Sequence, residues 1–210
     1  MIHQGQPVLM RGAPLDQARL TMILLHGRGA NAEDILSLSG ALPRFGVAFF
    51  APQAANGSWY PNRFIAPVEK NEPHLTSALE VVGDLTARIV ARGIPPERIM
   101  LLGFSQGACL ALEFAARHPC RYGGVFGLSG ALIENGDRPR HYAGDMAGAP
   151  VFLGCSAADQ HIPLERVHRT TMAFHRLGAA VTERIYPGLG HAVNEDELAF
   201  IAATMQAALL

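Results

Sequence analysis

The sequence is poor in cysteine, with three thiols in 210 residues, at Cys109, Cys120 and Cys155. The number is odd, and each cysteine lies in or beside a predicted helix or strand, so we expect packing thiols rather than a disulfide framework. A catalytic cysteine is disfavoured because a serine in a more specific motif competes for the role of nucleophile.

The sequence also lacks any run of lysine or arginine, and its formal net charge is -1. A chain without a basic patch has no electrostatic footprint for nucleic acid or an anionic membrane, so neither partner is expected. Residues 1–7 (MIHQGQP) have neither the basic start nor the apolar core of a secretory signal, which predicts a cytoplasmic protein. The apolar stretch 198–210 is interrupted by Thr204 and Gln206 and is too short to span a bilayer, so we expect a packed helix and no stable membrane insertion.

Apolar residues are abundant, at 49% of the chain, which is enough for one domain over residues 1–210 with a substantial core. Whether such a domain is a monomer or a homodimer is left open. Periodicity predicts strands that alternate with helices, and residues 7–14 predict a short opening hairpin before the first buried strand. This alternation predicts an open, mostly parallel α/β sheet with helices on both faces. The predicted strands are 19–25, 46–51, 98–102, 122–128, 150–155 and 181–186, and the predicted helices are 32–42, 75–91, 108–117, 164–177 and 194–209.

One of these strand–helix junctions carries the motif Gly-x-Ser-x-Gly at residues 103–107 (GFSQG). The bare pattern also occurs by chance in glycine-rich proteins. Here an apolar strand precedes it and a helix-forming segment rich in small residues follows it, which is the context that a nucleophile elbow requires. Glycine at 103 and 107 removes the Cβ atoms that would collide in such a turn. We therefore interpret Ser105 as a nucleophile.

A general base and an orienting acid are expected beyond the carboxyl ends of other strands, because ligands bind at that edge of a parallel sheet. His191 lies in a glycine-rich loop after the predicted strand ending at residue 186, and Asp159 follows the strand ending at residue 155. The chain order Ser105, Asp159, His191 is that of a nucleophile-elbow hydrolase. His26 also follows a strand, but we interpret it as a buried hydrogen-bonding residue.

Other acids and histidines fit structural roles better. Asp145 precedes its strand, and Glu195 and Asp196 begin the last helix, where acids favour the positive end of the helix dipole. A further histidine series recurs every seven residues, a spacing of roughly 10 Å on a helix and too wide for one metal ion. We expect a partly solvated face there and no metal site; the series is His161, His168 and His175.

A tetrahedral oxyanion needs two N–H donors. One is expected from the backbone amide of Gln106, directly after the nucleophile, and the other from the amide of Arg28, in the loop after the 19–25 strand. The alternative to a role for the Arg28 side chain is that its guanidinium is solvated and only its backbone amide contributes to the site.

Taken together, these segments resemble the phospholipase/carboxylesterase family of α/β-hydrolases, which includes the acyl-protein thioesterases. The resemblance implies a cofactor-free serine hydrolase with an α/β-hydrolase fold and a minimal cap, acting on carboxylic esters, with thioesters and lysophospholipids as further candidates. It also implies a Ser105, Asp159 and His191 triad, with the Arg28 and Gln106 amides as oxyanion hole and a small-molecule ester as partner. The segments are 26–29 (HGRG), 51–52 (AP), 59–60 (WY), 98–99 (RI), 103–107 (GFSQG), Asp159 with 162–163 (IP), and 188–191 (GLGH).

The chain departs from that resemblance at two places. Arg28 stands where many members have an apolar residue, and residues 61–64 (PNRF) replace a more usual acidic segment. Both differences bear on whether long-chain or protein substrates fit.

A long segment without clear periodicity, residues 53–74, is the main candidate for a substrate-binding loop. Our hypothesis is that an apolar acyl site is formed by loop residues together with apolar neighbours of the triad. The alternative is that the same side chains only pack the loop onto the domain. The residues are Trp59, Phe64, Ile65, Ile162 and Leu189.

Three other functions compete with an esterase. Residues 27–32 fit the loose G-x-G-x-x-A pattern of a nucleotide-binding turn, but no acid ends the next strand to bind a ribose. A non-catalytic binding protein of the same fold would not need Ser105, Asp159 and His191. A hydrolase of small cyclic or aromatic esters resembling dienelactone hydrolases would generally carry cysteine in place of Ser105.

Overall fold

The fold is built on one seven-stranded sheet, seen in a computed structural model that describes residues 2–136, 138 and 140–210. The strand order is β1-β3-β2-β4-β5-β6-β7, and all neighbours pair in parallel except β1 and β3. Parallel strands place their carboxyl ends at one edge, where the connecting loops meet. The strands are β1 Val8–Gly12, β2 Leu20–Leu25, β3 Val47–Pro52, β4 Ile99–Phe104, β5 Gly124–Leu128, β6 Pro150–Ser156 and β7 Ala180–Tyr186.

Helices cover both faces of the sheet, as the sequence predicts. Apolar side chains of α1 and α5 pack in one core, and those of α2, α3 and α4 pack in the other. The mostly parallel α/β fold class is thereby confirmed. No helix in the described part of the chain is long and apolar enough to cross a bilayer. The helices are α1 Ala32–Leu36, α2 His74–Ala91, α3 Gln106–Arg117, α4 Leu164–Arg176 and α5 Glu195–Leu209.

The predicted opening hairpin is wrong. β1 pairs antiparallel with β3, with Leu9 opposite Ala51, and no second strand follows it before β2 among the described residues. β2 cannot be its partner, because β3 and β4 already occupy both edges of that fully buried strand. β1 is therefore an edge strand, with a mostly exposed face.

The first helix is also shorter than predicted. α1 ends at Leu36, and residues Ser37–Ala41 form a 3-10 turn instead of a continued α-helix. The Ser39 hydroxyl donates to the Leu36 carbonyl at 2.7 Å and so satisfies one of the acceptors that the helix end leaves open.

A buried glutamate takes part in the N-terminal cap of the last helix, α5. Glu197 accepts the N–H of Asn194 at 2.9 Å, and the Asn194 side chain accepts the N–H of Glu197 at 2.9 Å, which makes a reciprocal cap. The carboxyl is fully buried, and this burial raises its pKa to about 7, although the hydrogen bond from Asn194 opposes the rise.

We expect this carboxyl to make the fold less stable as pH rises. A pKa raised from 4.5 to about 7 on folding means that the native state holds the proton more tightly than the unfolded state does. The contribution of this group to the unfolding free energy is therefore complete below pH 4.5 and is lost as the pH rises through about 7. Glu197→Gln keeps an acceptor for the cap and removes the charge. The unfolding free energy of this variant, from urea titrations at about pH 5 and pH 8, should change less with pH than that of the wild type, by about 1–3 kcal/mol.

Glu195→Gln, at an exposed position in the first turn of the same helix, is the matched control and should keep the wild-type pH dependence. Equal pH dependence in the wild type and the Glu197→Gln protein would contradict the prediction.

Candidate active site

The structure brings together the three side chains that the sequence singles out. Ser105 follows β4, Asp159 follows β6 and His191 follows β7. His191 Nε2 lies 2.8 Å from Ser105 Oγ, and His191 Nδ1 lies 2.8 Å from Asp159 Oδ2. With Nδ1–H donated to the carboxylate, the imidazole presents an unprotonated Nε2 to the hydroxyl, which is the tautomer needed to accept a proton.

Ser105 is held on a strained turn between β4 and α3. Its φ of 54° and ψ of -118° fall in a region that side-chain-bearing residues rarely adopt. A Cβ built on Gly103 would overlap the Gly107 carbonyl, and one built on Gly107 would overlap the Leu25 carbonyl at the end of β2. The Ser105 N–H donates to the carbonyl of Leu128, the last residue of the neighbouring strand β5, at 2.9 Å. This packing fixes the direction of the hydroxyl.

The Asp159 side chain is fully buried, and its hydrogen bonds favour the charged form. Its Oδ1 accepts the backbone N–H groups of His161 and Ile162 at 2.8 and 3.0 Å, while Oδ2 faces His191. Burial alone would raise the pKa of this carboxyl, but the hydrogen bonds from His191 and from the two amides together hold the pKa below its usual value. The site therefore keeps a carboxylate behind the imidazole.

The loop that carries His191 is tied to the loop that carries Asp159. Gly190, with a φ of 73°, donates its N–H to Ser156 Oγ at 3.1 Å. The His191 ring lies 5.0 Å from the Phe104 ring and 4.7 Å from the His161 ring, centroid to centroid. These contacts leave the imidazole only 22% exposed, with its Nε2 edge directed at the serine.

The two backbone amides expected to hold an oxyanion lie at the same cavity as Ser105. Arg28 and Gln106 both line it, and neither backbone N–H has an acceptor within the described residues. Two free donors beside the Ser105 hydroxyl are suited to stabilising negative charge on a nearby oxygen.

Side chains behind these amides make a buried network. Gln106 accepts the Trp59 N–H at 2.9 Å and donates to the Tyr60 carbonyl at 2.7 Å. His26 is fully buried, its Nδ1 faces the Gly27 carbonyl at 2.8 Å, and its Nε2 accepts the Ala54 N–H at 3.1 Å. Burial lowers the pKa of His26, so it serves as a neutral hydrogen-bonding residue, in keeping with our interpretation of the sequence.

The prediction that Trp59 lines a substrate site is wrong. Its side chain is 0% exposed, its indole N–H donates to the His26 carbonyl at 2.9 Å, and it packs in the core beside the His26 ring. The large indole serves to anchor the 53–73 connection, because burying its area and satisfying its N–H fix that segment to the domain.

The cavity above Ser105 has a volume of about 340 Å³, near the lower end for small-molecule sites. Of the remaining predicted substrate residues, Phe64 and Ile162 line it, whereas Ile65 and Leu189 lie outside its wall. Ile65 instead packs against the larger core. Residues missed by the sequence reasoning also line the cavity: Tyr60, Arg63, Phe104, Cys109 and His161.

His161 is the residue whose setting the sequence reasoning mistook. It lies on the loop after β6, ahead of α4, so it does not share a helix face with His168 and His175. Its position two residues after Asp159, on a loop at the carboxyl edge, was the signal that could have placed it at the cavity. Among the described residues, no group of histidine, cysteine, aspartate or glutamate side chains could hold a metal ion.

The cysteines are free thiols in the structure, as the sequence predicts. Cys109 lies beneath the cavity, one turn into α3, and burial raises the pKa of its thiol to about 12. Burial likewise raises the pKa of the Cys155 thiol to about 12, with the nearby Asp159 adding to the rise. A thiol with so high a pKa is a poor nucleophile at neutral pH.

The sequence and the structure both match a known protein family. A profile of the family described as Phospholipase/Carboxylesterase matches residues 12–209. A crystal structure of a phospholipase/carboxylesterase from Dyadobacter fermentans superposes with a TM-score of 0.92 at 40% identity, covering 98% of this chain and 99% of that one.

Two fungal relatives are named acyl-protein thioesterase 1. The protein from Eremothecium gossypii is 38% identical over 143 residues, which is 62% of this chain but only 57% of the relative. The protein from Saccharomyces cerevisiae is 26% identical over 219 residues, covering 94% of this chain and 96% of the relative. The first match thus spans little more than half the length of that relative.

The close approach of Gly107 to the Leu25 carbonyl predicts that replacing this glycine by alanine destabilises the fold, whereas the same change at Gly83 does not. Gly107→Ala forces a Cβ into the Leu25 carbonyl, so we expect it to lower the unfolding free energy by at least about 2 kcal/mol. Gly83→Ala, inside α2 and with Phe114 at an ordinary contact distance of 3.5 Å, should raise it by up to about 1 kcal/mol. Denaturant titrations followed by circular dichroism compare the two, and equal stabilities would refute the packing argument.

Proposed function

The chain belongs to the phospholipase/carboxylesterase family of α/β-hydrolases, and from that membership we propose that it is a serine hydrolase of carboxylic esters and thioesters. The observation that carries the proposal is the continuous hydrogen-bonded series Asp159, His191, Ser105, with both steps at 2.8 Å. Triads of this kind perform acyl transfer without a cofactor.

In the first half of the proposed reaction, His191 Nε2 takes the proton of the Ser105 hydroxyl as Oγ attacks the carbonyl carbon. The carbonyl oxygen becomes an oxyanion that the N–H groups of Arg28 and Gln106 stabilise. Asp159 stabilises the imidazolium that forms. His191 then gives its proton to the leaving alcohol or thiol, the bond to the leaving group breaks, and the acyl group remains on Ser105 as an ester.

In the second half, a water molecule replaces the alcohol. His191 Nε2 takes one proton from the water as its oxygen attacks the acyl carbon, and the same two amides stabilise the second oxyanion. The imidazolium returns the proton to Ser105 Oγ as the acyl-enzyme bond breaks. The products are a carboxylic acid and the original enzyme.

Ser105→Ala should lower kcat/KM for a 4-nitrophenyl ester by at least about 10³-fold, because the acyl-enzyme cannot form. A fluorophosphonate probe, with mass mapping of the modified peptide, should label Ser105 in the wild type and nothing in the variant. Thermal unfolding of the variant, unchanged within a few degrees, serves as the control for folding. Retention of most activity in a folded Ser105→Ala protein would end the nucleophile assignment.

The acyl site gives a second prediction, about chain length. Phe64 is a wall of the cavity, so Phe64→Ala should enlarge it and move the preference among 4-nitrophenyl esters toward longer acyl chains. Ile65→Ala removes a neighbouring apolar side chain that lies outside the cavity and should leave the preference unchanged. If both variants shift the preference alike, or neither does, Phe64 does not limit the acyl chain.

A further inference from the structure

The charged side chains that line the cavity above Ser105 are of one sign. Its wall includes Arg28 and Arg63, both exposed, and no aspartate or glutamate. No described carboxylate forms an ion pair with either guanidinium. The nearby walls at Phe64, Phe104 and Ile162 are apolar, and a low-dielectric wall strengthens the field of a charge beside it.

Both arginines are oriented by backbone carbonyls at the mouth of the cavity. Arg28 donates to the carbonyl of Pro61 at 2.6 Å and to that of Asn62 at 2.5 Å. Arg63 donates to the carbonyl of His161 at 3.1 Å, on the far side of the site. A guanidinium has five N–H groups, so each arginine keeps donors beyond those used within the described residues. These contacts hold two positive charges in place without neutralising them.

The segment 61–64 does not depend on the Arg63 side chain for its position. The fully buried Asn71 accepts the N–H of Asn62 at 2.8 Å and donates to the Arg63 carbonyl at 3.2 Å. The Phe64 carbonyl accepts the N–H of Glu134 at 2.8 Å. Replacing the Arg63 side chain therefore removes a charge while these backbone anchors stay.

We infer that this hydrolase selects small esters that carry an anionic group, with Arg28 and Arg63 binding a carboxylate on the substrate at the cavity mouth. The inference rests on the proposed function. A guanidinium recognises a carboxylate through charge-assisted hydrogen bonds. A substrate carboxylate at the cavity mouth faces two cations that no described carboxylate neutralises, while the Asp159 carboxylate lies behind the His191 imidazole and does not line the cavity. Arg28 and segment 61–64 are the two places where the sequence departs from its family resemblance, and the structure joins them by hydrogen bonds.

Matched ester pairs test the selection without changing the protein. Monoethyl succinate and ethyl levulinate differ only in a carboxylate oxygen replaced by methyl on the acyl half, and acetoxyacetate and acetoxyacetone differ in the same way on the alcohol half. Hydrolysis is followed by acid release at constant pH near 7.5. We expect kcat/KM to favour the anion by about tenfold in at least one pair, mainly through KM, and less so at high salt.

Arg63→Gln should reduce that preference, the ratio of kcat/KM for the anionic ester to kcat/KM for the neutral ester of the pair, by at least about threefold. Arg121→Gln is the control, since it removes the same charge from an exposed residue just before β5, at the opposite edge of the sheet. It should keep the wild-type preference. A loosened segment 61–64 would slow both esters alike, so the ratio separates binding of the anion from a structural effect.

Hydrolysis of the neutral esters with no preference for an anion in either pair overturns this inference and leaves the proposed function standing. An equal loss of preference in Arg63→Gln and Arg121→Gln also overturns it. Hydrolysis of none of the four esters, with Ser105 unlabelled by the fluorophosphonate, overturns the proposed function as well.

Discussion

The close approach of α3 to the end of β2 is the constraint on which the site depends. Gly107 passes so near the Leu25 carbonyl that no side chain fits between them, and Ser105 takes up a left-handed conformation as a result. The same approach places the Gln106 amide at the cavity, beside the loop that carries Arg28. This packing contact therefore positions both the Ser105 hydroxyl and the amides around it. The surrounding buried sheet offsets the conformational strain of Ser105.

Around that contact, hydrogen bonds connect the loops at the carboxyl edge of the sheet to one another. Gln106 holds the Trp59–Tyr60 segment, and the Ser156 hydroxyl joins the loops of Asp159 and His191. Such fixed dipoles and donors need little reorganisation when charge develops on a bound carbonyl. The Asp159 side chain keeps its charge because three N–H groups face it, and its hydrogen bond to His191 Nδ1 fixes the orientation of that ring.

The sequence predicted the parts of this arrangement that follow from local pattern. Ser105, Asp159 and His191 were found because each follows a recognisable strand, and the parallel topology brings strand ends together. Packing between segments distant in the sequence could not be predicted. Trp59 was predicted to line the substrate site, but its indole is buried and donates to the His26 carbonyl. Spacing also misled, since His161 was grouped with His168 and His175 as one face although it lies on the loop before their helix. β1 likewise pairs with β3, which is not the next strand along the chain.

The separation of Ser105, Asp159 and His191 along the chain has a consequence for how the site assembles. Ser105 and His191 lie 86 positions apart, and Asp159 and His191 lie 32 apart, each in the segment after a different parallel strand. Non-local pairing of this kind forms slowly, because loop-closure entropy must be overcome before the contacts stabilise the chain. During synthesis the elbow of Ser105 emerges before β7 and the loop of His191, so the Ser105–His191 hydrogen bond forms only after that loop has joined the sheet.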